Sequence, residues 1–88
     1  MSIVLTDAPM ASIRWKLRAV MADRKISNSA LGQAVGKHAI TISRLRQRDT
    51  LPAIGGDEIE VMRVEINKLS SDELPECKLS DLVEVIDD

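Results

Sequence analysis

Apolar positions at Ile13, Leu17, Val20 and Met21 recur at helical spacing and predict a first helix over residues 11–24. Ser27 is placed to cap a second helix, whose buried stripe is Leu31, Ala34 and Val35, and Gly36 ends it after about two turns. A third helix over residues 39–47 turns Ile42 and Leu45 inward and leaves Ala39, Ile40, Ser43, Arg44, Gln47 and Arg48 on its outer faces. Leu51-Pro52 and Gly55-Gly56 punctuate a loop. Asp57 and Glu60 then have the spacing of a capping box, and Ile59, Met62, Ile66 and Leu69 trace the apolar face of a fourth helix ending near Leu69. Residues 70–77 read as a polar loop, Ser80-Asp81 as the start of one helical turn, and Val83-Glu84-Val85 alternates like a short strand. Residues 1–10 carry no such pattern and read as an irregular arm, leaving residues 11–88 as one domain.

Charge adds what hydropathy does not show. The net charge of −2 conceals a split, with nine Lys/Arg against three Asp/Glu in residues 1–56 and three against eleven in residues 57–88. A basic half of about +6 beside an acidic half of −8 is the distribution expected when one face meets nucleic acid and the other does not. Four of the nine, Lys37, Arg44, Arg46 and Arg48, lie in the stretch SNSALGQAVGKHAITISRLRQR, residues 27–48, which its two helices and glycine turn make the candidate site. Two helices joined by a tight glycine turn suit duplex DNA because the major groove admits one α-helix, which a second helix must brace.

This run resembles the helix-turn-helix family of Cro and the phage repressors (XRE-like), on Leu31, Val35, Gly36, Ile42 and Leu45, with the flanking helices extending the likeness over residues 11–86. The chain departs from the family at two positions, with Lys37 where an aliphatic residue is usual and Gly32 where alanine is usual. The resemblance implies an all-α, compact four- to five-helix lambda-repressor-like domain, here with a short C-terminal strand, and a DNA-binding transcriptional regulator. It places Asn28 at the start of the second helix, where members meet a phosphate or a base, and Ala39, Ile40 and Arg44 on the groove-facing side of the third.

Chemistry sorts these residues. Arg44 suits bidentate bonding to the O6/N7 edge of guanine, and Ala39 and Ile40 suit apolar contact with a thymine methyl. Ser27, Lys37, His38, Thr41, Ser43, Arg46 and Arg48 are candidates for phosphate contact, which positions a protein without reading sequence, and Arg14 and Lys16 extend the set. The competing reading of Arg44, Arg46 and Arg48 is an ordinary solvated face, that of Ile40 a core or dimer contact, and that of His38 a capping or surface residue.

Other functions fit less well. One His and one Cys leave a metal site dependent on carboxylates that lack calcium-loop spacing, and the Gly55-Gly56 pair lacks the following Lys-Ser/Thr of a phosphate loop. No Ser-His-acid or Cys-His arrangement can be assembled, so neither enzyme activity nor a cofactor is expected. Trp15 is the sole aromatic residue, which argues against stacking on single-stranded bases. The single Cys77 excludes an intramolecular disulfide and suggests the reducing cytoplasm, at the nucleoid, and no stretch has the length and apolarity of a secretory signal or membrane span. The expected partners are operator or promoter DNA and a second copy, the latter paired through the Val83–Ile86 end. Glu58, Glu60, Asp72, Glu73 and Glu76 offer the alternative of a surface for a basic protein, as in an antitoxin, and a protein-interaction module without DNA binding is the third reading.

Overall fold

The computed structural model describes residues 12–86, so the expected arm over residues 1–10 lies outside the described residues. Five helices are joined by a two-stranded antiparallel ribbon in the order β1 (Ser12–Trp15), α1 (Leu17–Arg24), α2 (Asn28–Val35), α3 (Ala39–Arg46), α4 (Gly56–Leu69), α5 (Leu79–Leu82) and β2 (Val83–Ile86). The chain is mostly helical, and the all-α expectation is corrected by this ribbon.

The largest change is at residues 12–15, expected as helix and found as strand. Ile13 and Trp15 alternate with Ser12 and Arg14, a period of two that the helical spacing of Ile13, Leu17, Val20 and Met21 masked. Pairing with a distant segment decides between the two patterns: Ser12 lies opposite Ile86, Ile13 opposite Val85, Arg14 opposite Glu84 and Trp15 opposite Val83. Arg14 and Glu84 are also an ion pair at 3.6 Å. Ile13, expected on the buried stripe of the first helix, is therefore exposed, and Trp15, 3% exposed, takes a place in the core that the sequence pattern did not assign to it.

The core gathers one or more residues from every helix. Leu17, Val20 and Met21 of α1 meet Leu31 of α2, Ile42 of α3, Ile59, Met62 and Ile66 of α4 and Leu82 of α5, together with Trp15, Ile26 and Cys77. No polar or charged residue is buried among the described residues. The expected apolar face of α4 holds except at Leu69, which is exposed. Gly55, not Asp57, is the N-cap of α4 and no side chain caps it, so the expected capping box is absent. Asp57 and Glu58 instead lie in the first turn, where their charges oppose the positive end of the helix dipole.

Candidate nucleic-acid interface

Helices α2 and α3 meet through a turn that the local sequence dictates. Ser27 has the expected capping role, its Oγ accepting from the Ala30 N–H at 3.0 Å. Gly36 closes α2 with φ +74°, a left-handed conformation that costs an L side chain energy and glycine none. The Lys37 N–H then donates to the Gly32 carbonyl at 2.8 Å. Gly32 is buried under this turn, and a Cβ there would lie 2.6 Å from the Lys37 carbonyl oxygen. Glycine at this position thus has a steric cause: the turn backbone occupies the space a methyl group needs.

Two further contacts fix where α3 leaves the core. The Trp15 indole Nε1–H donates to the Leu45 carbonyl at 2.9 Å, and the Trp15 backbone N–H donates to the Asp49 carbonyl at 2.8 Å. The Leu51 N–H donates to the Ile13 carbonyl at 3.0 Å, so the chain beyond α3 is stitched to β1. Sequence reasoning did not find this role of Trp15. The signal available was a lone indole, whose N–H requires a partner when buried.

The candidate contact residues divide by exposure and partners. Ile42 is fully buried and Leu45 is packed against the core, which presents the opposite side of α3 outward. Ile40 is 63% exposed, which removes the core from its competing readings. Arg44 and Arg48 are exposed and have no ion-pair or side-chain hydrogen-bond partner among the described residues. Ala39, Thr41 and Ser43 are half-buried, Ser43 Oγ accepting from Gln47 Nε2 at 3.4 Å. His38 is the exposed N-cap of α3, and its side chain makes no cap bond. Two cations are engaged within the chain: Lys37 Nζ lies 3.5 Å from Glu58 Oε2, and Arg46 Nη1 donates to Asn28 Oδ1 at 2.8 Å.

The outlying basic residues are less available. Arg14 pairs with Glu84, and Arg18 Nη2 bonds Asp49 Oδ1 at 2.7 Å. They line a shallow groove with Trp15, Lys16 and Ala19, in which Lys16 has no ion-pair partner among the described residues.

Much of the acidic half is satisfied internally. Arg63 binds Glu60 through Nε and Nη2 at 2.8 and 2.6 Å, and its Nη1 lies 3.4 Å from Glu76 and 3.3 Å from the Cys77 carbonyl. The hydrogen bond to Arg63 holds the Glu60 carboxyl below its ordinary pKa and Arg63 above its own. Of the five carboxylates expected to form a partner surface, Glu58, Glu60 and Glu76 are thus paired, while Asp72 and Glu73 are exposed without an ion pair among the described residues. Arg24 ties the same loop down through Ser70 Oγ at 3.0 Å and the Pro75 carbonyl at 2.7 Å.

Comparison with protein-family models, curated proteins and solved structures gives no match. Among the described residues no group of three or more His, Cys, Asp and Glu could hold a metal ion, and no helix is long and apolar enough to cross a membrane.

Proposed function

We propose that the chain is a sequence-specific double-stranded DNA-binding transcriptional regulator of the lambda-repressor-like helix-turn-helix kind, acting as a homodimeric repressor. The observation that carries the reading is the α2–α3 pair. A short helix is braced across its neighbour by a left-handed glycine, buries Ile42, and turns Ile40 and Arg44 outward, with Arg48 exposed just past its C-cap and both arginines free of partners among the described residues. One helix fits the major groove, and Arg44 has the donor geometry to read guanine there. Ile40 offers a methyl-sized apolar contact. Ser27, His38, Thr41, Ser43 and Arg48 surround these two with hydrogen-bonding or cationic groups suited to phosphate.

Dimerisation has a route through the ribbon. β1 is bonded on one edge to β2 and on the other to the chain around Thr50, whereas the outer edge of β2 pairs with nothing among the described residues. Ile13 and Val85, opposite each other in the register, are 41% and 64% exposed. An open edge with an apolar pair beside it invites a second β2 in antiparallel alignment. Two copies with recognition helices about 34 Å apart would occupy successive major grooves and occlude a promoter.

The test is fluorescence anisotropy on a duplex from the chain's own upstream region and on a scrambled duplex, across a salt series. The expected result is tighter binding to the first duplex, affinity that falls steeply with salt, and a loss of about 1–3 kcal/mol in Arg44→Ala on that duplex. Binding to neither duplex at low salt would refute the proposal.

A further inference from the structure

The two helices of the interface are fastened at both ends, by different means. Near the turn, Gly36 and the contact of Gly32 with the Lys37 carbonyl fix their approach. At the far end, the first residue of α2, Asn28, accepts from the last residue of α3, Arg46, at 2.8 Å. This is the one side-chain hydrogen bond between α2 and α3 among the described residues. A guanidinium is all donor, so the Asn28 amide must face it with its oxygen, and the planar fork fixes direction as well as distance. Both helices are seated in the core through Leu31 and Ile42, and the bond between their far ends adds a directional restraint on the angle between them. Arg46 is accordingly half-buried, whereas Arg44 and Arg48 are exposed.

We infer that Arg46 is a positioning residue for sequence readout: through Asn28 it holds the angle between α2 and α3 at which Arg44 and Ile40 meet the base edges. This rests on the DNA-binding reading and revises one part of it, since Arg46 was expected at phosphate. A phosphate-bound arginine raises affinity for every duplex alike and adds to the salt dependence. An arginine that sets the helix angle acts instead on the ratio between preferred and scrambled duplexes, because base contacts depend on alignment and the overall attraction of a basic face does not.

The experiment measures dissociation constants for both duplexes over a salt series in wild type, Asn28→Ala, Arg46→Ala, the double variant and Asn28→Asp, with circular dichroism melting of each. Asn28→Ala keeps every positive charge. It is expected to lower the preferred-to-scrambled ratio about tenfold with an unchanged salt slope. Arg46→Ala lowers the ratio by a similar factor, and the double variant lowers it no further than Arg46→Ala alone. Asn28→Asp restores an acceptor for Arg46 and returns the ratio toward wild type despite its added negative charge. An unchanged ratio in folded Asn28→Ala, or losses in the two single variants that multiply in the double, overturns the inference. Failure of the DNA reading itself is seen separately, in wild type that binds neither duplex.

Discussion

At the scale of single residues, the turn between α2 and α3 is governed by two glycines with different reasons to be glycine. Gly36 supplies a left-handed backbone, and its place at the end of the apolar stripe made that legible in the sequence. Gly32 is helical, and sequence reasoning could judge it only as a weak helix former. The structure reverses the sign of that judgement. Helix propensity predicts that Gly32→Ala stabilises, but the Lys37 carbonyl 2.6 Å from the new Cβ must shift, and it belongs to the turn itself. Gly32→Ala is expected to destabilise the fold by about 1–3 kcal/mol in urea unfolding. A stabilised Gly32→Ala would show that the turn is slack enough to absorb a methyl group. Ser27, Ile42 and Leu45 needed no such correction, because capping and helical spacing are local signals.

At the scale of elements, α2, α3, α4, the short turn at α5 and the strand β2 were legible, while β1 was not. The segment SIRWKL satisfies helical and strand periodicities at once, and the choice is made by a partner some seventy residues away. The same non-local pairing leaves β2 with an open edge, from which the dimer prediction follows. Val85 is well exposed, so Val85→Lys leaves the fold in place while putting like charges at the join between two β2 edges. In sedimentation equilibrium, wild type is expected to gain mass with concentration in the micromolar range and Val85→Lys to remain monomeric. Wild type that stays monomeric throughout would contradict dimerisation by this edge.

Across the whole molecule, the charge split of the sequence survives, but its two sides are not cleanly separated. Glu58 of the acidic half reaches Lys37 at the turn, so one candidate phosphate contact is already partnered, a link between α4 and the turn that composition could not reveal. The acidic loop is pinned by Arg24 and Arg63, and this packing closes over Cys77, whose amide and carbonyl are both bonded to Asn67. Burial pushes the Cys77 thiol above its ordinary pKa. Because the folded state resists the thiolate more than the unfolded chain does, this group has no effect on stability below the ordinary thiol range of about 8.5 and lowers stability as the pH rises through it. Native protein at pH 8 is therefore expected to resist iodoacetamide and to react readily in urea. Fast labelling of the native protein would mean that the loop opens on its own.

In the proposed function the face built by α2 and α3, and no other, meets duplex DNA. The most direct measurement is a titration of 15N-labelled protein with a duplex, followed by amide chemical shifts at low salt. The largest changes are expected at Ser27, Asn28 and residues 37–48, with the acidic loop of residues 70–77 left near its free positions. Changes centred on that loop or on β2, or none at all, would contradict it.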